Sequence, residues 1–218
     1  MKAPSSLFAG PAVEKAHAAI ILVHGRGAPA AGMIEIYEAL NAPWCAAVAP
    51  QAPGHSWYPY SFLAPIEENQ PNLDYSLGMI QNIVEDLIGR GIKSDHVALL
   101  GFSQGACLCS EFVARHPRRY GAVMALTGGL IGPAGTPRNY QGSLDGTPVF
   151  LGASDPDPHV PCGRVQETKE ILAAMGAKVE LRRYPGMGHT INEDELEACR
   201  KLVGAMAPPE KKSNKPLR

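Results

Sequence analysis

Short apolar runs alternate with longer segments of helical periodicity along most of this 218-residue chain. Several of the short runs, such as Ala18–Val23, are continuously apolar, which indicates strands buried on both faces of a mainly parallel sheet. Helices that cross over between parallel strands produce this alternation. The predicted strands are 17–24, 45–49, 96–101, 121–126, 148–151 and 179–184, and the predicted helices are 32–40, 73–89, 104–115, 163–175 and 193–206. The pattern predicts an α/β fold with a mainly parallel central sheet and helices on both faces.

The length is that of one α/β domain, which we expect to occupy residues 1–207. Residues 208–218 combine prolines with four cationic side chains and predict a flexible C-terminal tail. Two stretches, 50–71 and 128–147, show no period. Loops this long in a compact domain usually form a functional rim.

Charge and composition narrow the classes of partner. Twenty Lys and Arg against 21 Asp and Glu leave a formal charge of −1, so no strong field attracts nucleic acid or an anionic membrane. No apolar run approaches the roughly 18 to 20 residues of a membrane span, and the first 15 residues lack a signal-peptide core. Five scattered cysteines without a CxxC pair predict reduced thiols and a cytoplasmic location. We expect a small-molecule partner, and a homodimer is left open.

The most informative motif is the pentapeptide Gly101-Phe102-Ser103-Gln104-Gly105, which has the form G-x-S-x-G. An apolar strand-like run precedes it and a helical run follows it. A strand, a sharp turn and a helix form the nucleophile elbow of serine hydrolases. Ser103 is therefore the candidate nucleophile, and the alternative is a plain helix N-cap.

A serine hydroxyl is a poor nucleophile unless a base takes its proton and an acid orients that base. His189 follows the last predicted strand on a glycine-bracketed loop, in the expected chain order Ser, Asp, His. Two aspartates compete for the acid, because Asp155 and Asp157 both follow strand 148–151. We favour Asp157, which has Asp-Pro-x-Val-Pro spacing to the next helix, and Asp155 stays open. A metal site could instead be built from Asp155, Asp157, His159 and His189. Each of these residues has a simpler role, so no metal site is predicted.

The oxyanion of an acyl-transfer intermediate needs two preorganised backbone donors. We expect one from Gln104, directly after the nucleophile, and the other from Arg26 in the glycine-rich turn after the first core strand. Four aromatic residues concentrated in loop 50–71 are candidates for lining an acyl or aryl pocket: Trp57, Tyr58, Tyr60 and Phe62. Packing of this loop onto the sheet is the alternative.

These motifs together resemble the phospholipase/carboxylesterase group of the α/β-hydrolase superfamily. The matching segments are Leu22-Val23-His24-Gly25-Arg26-Gly27, Gly101-Phe102-Ser103-Gln104-Gly105-Ala106, Asp157-Pro158-His159-Val160-Pro161 and Gly188-His189. The resemblance implies an α/β-hydrolase fold and a serine hydrolase that cleaves esters or thioesters through an acyl-enzyme, without a metal or organic cofactor. Two extra residues near the acid depart from the usual pattern of this group. The run Trp57-Tyr58-Pro59-Tyr60-Ser61-Phe62 is unlike the corresponding region of acyl-protein thioesterases and resembles a bacterial subgroup that carries the same Trp-Tyr-Pro run.

Two other functions stay open. One is a non-catalytic ligand-binding or interaction protein on a hydrolase scaffold, against which the intact Ser, Asp and His argue. The other is a dienelactone-type hydrolase, in which the nucleophile position is expected to be Cys, whereas this chain has Ser103.

Overall fold

A computed structural model describes residues 6–209 as a seven-stranded sheet with helices on both faces. The order across the sheet is β1-β3-β2-β4-β5-β6-β7, in which β1 is antiparallel to β3 and all other neighbours are parallel. The strands are β1 (Ser6–Ala9), β2 (Ala18–Val23), β3 (Cys45–Pro50), β4 (Val97–Phe102), β5 (Ala122–Leu126), β6 (Pro148–Asp155) and β7 (Lys178–Pro185). Most of the predicted tail, 210–218, lies outside the described residues.

Five α-helices cover the sheet and create two cores. They are α1 (Ala31–Leu40), α2 (Asn72–Gly89), α3 (Gln104–Arg115), α4 (Cys162–Ala174) and α5 (Glu193–Gly204). One core packs α2, α3 and α4 against one face of the sheet, and the other packs α1 and α5 against the opposite face. The predicted α/β-hydrolase architecture is confirmed. Among residues 6–209, no helix is long and apolar enough to cross a membrane.

The sequence prediction missed β1 and shortened β6. Strand β1 has four residues, pairs within residues 6–209 only with β3, and leaves Phe8 68% exposed, so it lacks the buried pattern that marks the central strands. Strand β6 continues four residues beyond the predicted end and pairs with β7 as far as Asp155. The extension places Asp155 at the carboxyl edge of the sheet.

The site residues gather because parallel strands carry their following loops to one edge of the sheet. Strand β2 lies between β3 and β4, and the helices that follow β2 and β3 lie on opposite faces. In open α/β sheets, ligands bind at such a point, outside the carboxyl ends of the strands. Residues after β2, β4, β6 and β7 therefore converge there.

Candidate active site

Ser103 is the single residue between the end of β4 and the start of α3, where the chain makes a sharp turn. Its backbone has φ 54° and ψ −117°, a conformation that non-glycine residues rarely adopt. A Cβ on Gly105 would lie 2.0 Å from the Val23 carbonyl oxygen, and one on Gly101 would lie 2.4 Å from the Gly105 carbonyl carbon. Both positions require glycine because the helix and strands meet backbone to backbone. The strained turn places Ser103 at the N-terminus of α3, where the helix dipole favours negative charge.

His189 connects Ser103 to Asp157. Its Nε2 lies 2.8 Å from Ser103 Oγ, and its Nδ1 lies 2.7 Å from Asp157 Oδ2. The ring packs against Phe102, with ring centroids 5.1 Å apart, and edge-on against His159 at 5.0 Å. Because a carboxylate only accepts, it holds the imidazole proton on Nδ1 and leaves the Nε2 lone pair to accept the Ser103 hydroxyl proton.

The Asp157 carboxylate is fixed by more than the histidine. Its Oδ1 accepts hydrogen bonds from the backbone N–H groups of His159, at 2.7 Å, and Val160, at 2.8 Å. Burial is the largest single influence and would raise the pKa of Asp157, but the hydrogen bonds from His189, Val160 and His159 together lower it. The carboxyl group is therefore ionised at neutral pH and correctly placed to orient His189.

Asp155, the competing acid, lies outside this arrangement. It is exposed at the end of β6, and its carbonyl oxygen accepts the Gly186 N–H at 2.7 Å, which ties β6 to the loop that carries His189. Among the described residues, the only carboxylate hydrogen-bonded to His189 is that of Asp157. The geometry selects Asp157 over Asp155 as the partner of His189. Within 6–209, no three His, Cys, Asp or Glu side chains are grouped to hold a metal ion.

The turn after β2 lies against Ser103, as expected for an oxyanion site. A Cβ on Gly25 would lie 3.4 Å from Ser103 Cβ. The backbone N–H groups of Arg26 and Gln104 donate to no protein acceptor in the described part of the chain. His24 holds this turn: its Nδ1 bonds the Gly25 carbonyl oxygen at 2.7 Å, while its Nε2 accepts the Ala52 N–H at 3.1 Å. Burial lowers the pKa of His24, so the ring is neutral and suited to these two roles.

A cleft of about 700 Å³ opens beside Ser103 and His189. Tyr58, Tyr60 and Phe62 line it, as the sequence predicted, together with Leu63, Cys107 and Val160. Trp57 does not line it and corrects the prediction. Its side chain is buried, and its Nε1 donates to the His24 carbonyl oxygen at 2.8 Å. Trp57 therefore supports the candidate oxyanion turn from within the core.

Two side chains have roles that sequence reasoning missed. The buried amide of Gln104 donates to the Tyr58 carbonyl oxygen at 2.8 Å and accepts the Trp57 N–H at 3.0 Å. The Arg26 guanidinium donates to the carbonyl oxygens of Pro59, at 2.7 Å, and Tyr60. Both anchor the aromatic loop to the elements that carry the candidate oxyanion donors. For Gln104, the only signal in the sequence was a polar residue directly after Ser103, at a helical position that the structure shows to be buried.

Comparison with known proteins gives a consistent assignment. The sequence profile of the phospholipase/carboxylesterase family matches residues 9–206. A solved phospholipase/carboxylesterase from Dyadobacter fermentans is 42% identical and superposes with a TM-score of 0.89, covering 92% of this chain and 96% of that one. Acyl-protein thioesterase 1 from Saccharomyces cerevisiae is 34% identical over 124 residues, 56% of this chain and 55% of the yeast protein.

A second curated relative, acyl-protein thioesterase 1 from Gibberella zeae, is 28% identical over 151 residues, or 65% of this chain and 61% of the relative. The chain thus spans little more than half the length of these curated relatives. The family profile, by contrast, covers nearly all the described residues and includes every element that contributes to the site. This chain belongs to the phospholipase/carboxylesterase family of α/β-hydrolases.

Proposed function

We propose that this protein is a serine hydrolase that cleaves small carboxylic esters or thioesters through an acyl-enzyme. The observation that carries the proposal is the continuous hydrogen-bonded chain from Asp157 through His189 to Ser103, at 2.7 and 2.8 Å. Relatives named as thioesterases and a carboxylesterase structure support the same reaction class. In this proposal Ser103 is the nucleophile, His189 the general base and Asp157 the orienting acid.

Acylation begins when Ser103 Oγ attacks the substrate carbonyl carbon and His189 Nε2 takes the hydroxyl proton. The carbonyl π electrons move to the oxygen, and the free N–H groups of Arg26 and Gln104 are suited to stabilise that oxyanion. The ionised Asp157 stabilises the imidazolium as it forms. When the tetrahedral intermediate collapses, the bond to the leaving oxygen or sulfur breaks and His189 protonates the departing group.

Deacylation repeats these steps with water as the nucleophile. His189 takes a proton from the water, and the hydroxide oxygen attacks the acyl carbon. Collapse of the second intermediate breaks the bond to Ser103 Oγ, which recovers its proton from His189. The products are the free acid and the regenerated enzyme, and neither half-reaction requires a metal or an organic cofactor.

The lining of the cleft favours an uncharged, moderately apolar acyl group. Phe62, Leu63 and Val160 supply apolar surface, and Tyr58 and Tyr60 supply aromatic surface. The Arg26 guanidinium, which also borders the cleft, is engaged by loop carbonyl oxygens and is poorly placed to pair with a substrate carboxylate. A cytoplasmic location and a homodimer stay predictions.

The test is active-site labelling and turnover of the Ser103→Ala variant. We expect a fluorophosphonate probe to label the wild type at Ser103 only and Ser103→Ala to lose p-nitrophenyl ester turnover by several orders of magnitude. Ser94→Ala is the matched control, because Ser94 Oγ is bonded to the Arg119 carbonyl oxygen, away from the cleft. Unlabelled wild-type protein with no turnover would favour the non-catalytic binding protein.

A further inference from the structure

The imidazole of His159 borders the cleft beside the proposed base. Its ring lies edge-on against the ring of His189, with the two centroids 5.0 Å apart, and the residue is exposed. The other aromatic neighbour of His189 is Phe102, which does not line the cleft, whereas His159 does. His159 therefore forms the part of the cleft wall that adjoins the proposed base, and a molecule in the cleft can reach it.

The backbone of His159 is held by the proposed acid. Its N–H donates to Asp157 Oδ1 at 2.7 Å, and the N–H of the next residue, Val160, donates to the same oxygen at 2.8 Å. Val160 is buried in the core, which anchors the segment from the other end. A side chain carried on so fixed a backbone is preorganised for binding, because little freedom is lost when a ligand arrives.

The ring nitrogens of His159 are available to a ligand. Within residues 6–209 neither nitrogen has a hydrogen-bond partner, whereas both nitrogens of His189 are bonded, one to Asp157 and one to Ser103. A neutral imidazole donates a hydrogen bond from one nitrogen and accepts one at the other. A hydroxyl group both donates and accepts, so it can pair with either nitrogen of this ring, whichever of the two carries the proton.

We propose that His159 selects esters whose leaving group carries a hydroxyl group a few bonds beyond the leaving oxygen, as in a diol monoester. The proposal rests on the esterase function proposed above and specifies its leaving group. His189 Nε2 protonates the leaving oxygen, which must therefore come within about 3 Å of that nitrogen. Because the ring of His159 adjoins that of His189 in the cleft wall, the next atoms of the leaving group pass His159.

The experiment compares 2-hydroxyethyl butyrate with propyl butyrate and 3-hydroxypropyl butyrate with butyl butyrate. In each pair a hydroxyl group replaces a methyl group and the acyl group is the same. The measured quantity is kcat/KM for the hydroxylated ester divided by kcat/KM for its partner, so intrinsic reactivity cancels when variants are compared. His159→Phe keeps an aromatic ring beside His189 and removes both ring nitrogens. We expect it to lower the ratio about fivefold in at least one pair, the size of one hydrogen bond.

The matched control is His17→Phe. His17 is also exposed and also lies edge-on against a second histidine, His96, at 5.0 Å, but neither residue lines the cleft. His17→Phe should leave both ratios unchanged. Turnover of p-nitrophenyl butyrate, whose leaving group has no hydroxyl, should stay near the wild-type value in both variants.

The ratio separates recognition of the leaving group from support of His189. If His159 served only to hold His189, His159→Phe would slow all five esters equally and leave the ratios unchanged. That result, or a variant that fails to fold, would overturn the proposal while leaving the esterase function intact. Wild-type protein that cleaves p-nitrophenyl butyrate but none of the four alkyl esters would do the same. Wild-type protein that hydrolyses none of the five esters would overturn both.

Discussion

Replacing Asp157 with asparagine tests the proposed mechanism at its most specific contact. Asp157 Oδ1 accepts two backbone N–H bonds, from His159 and Val160, and Oδ2 faces His189 Nδ1 at 2.7 Å. The asparagine carbonyl oxygen can keep the two backbone bonds, which places the amide nitrogen where Oδ2 was. Its hydrogens then face Nδ1, so the imidazole must carry its proton on Nε2 instead. In that tautomer His189 cannot accept the Ser103 proton.

The expected magnitude follows from losing both the tautomer and the charge. In other triads this substitution lowers kcat about 10⁴-fold, equivalent to about 5 kcal/mol of transition-state stabilisation. Asp155→Asn is the matched control, two residues away and exposed, with no bond to His189. It should change kcat by no more than about fivefold, the size of one hydrogen bond of about 1 kcal/mol.

The assay is kcat for p-nitrophenyl butyrate, measured for both variants together with their melting temperatures from pH 3 to pH 8. Because the folded state lowers the pKa of Asp157, its ionised form stabilises the fold above the pKa of the unfolded chain. That stability is lost as the pH falls through the folded pKa, so the melting-temperature deficit of Asp157→Asn should shrink in acid. A kcat within tenfold of wild type, or a greater loss in Asp155→Asn, would refute the assignment of the acid.

Two further predictions concern stability. Gly105→Ala should destabilise the fold by about 3 kcal/mol or more in urea unfolding, because its Cβ would lie 2.0 Å from the Val23 carbonyl oxygen. Gly78→Ala, in the interior of α2 with open space at its Cβ, should instead stabilise by up to about 1 kcal/mol, and a similar loss in both variants would contradict the packing argument. Burial raises the pKa of Glu195 from 4.5 to about 7. Between these pH values the folded state binds more protons than the unfolded chain. Glu195 therefore lowers the free energy of unfolding as the pH rises from 4.5 to about 7. Glu195→Gln should therefore flatten the pH dependence of the melting temperature between pH 5 and pH 8. A variant whose melting temperature changes with pH as steeply as that of the wild type would contradict this prediction.

Local features of the sequence determined much of the fold and the candidate nucleophile. Continuous apolar runs predict the central strands β2 to β6, and helical periods predict all five helices, because burial on two faces or on one face gives the chain a characteristic pattern of apolar residues. The glycines around Ser103 are required by backbone contacts that any nucleophile elbow makes, so the pentapeptide and its flanks predict the turn. Strand β1 was not predicted because its apolar residues are exposed and do not form the continuous buried run of a central strand.

Only the tertiary structure shows that Asp157, and not Asp155, bonds His189 and which aromatic residues of the loop line the cleft. Asp155 is the last residue of β6 and Asp157 follows it. Which of them meets His189 depends on where the chain turns after β6 relative to the loop that follows β7, a contact between residues 32 positions apart. Trp57 and Tyr58 are neighbours of similar character, yet one supports the turn at His24 and the other lines the cleft. The Gln104 amide bonds the backbone of both residues, and the Arg26 guanidinium bonds the backbone carbonyl of Pro59, which follows them. Such long-range hydrogen bonds leave no periodic trace in a sequence.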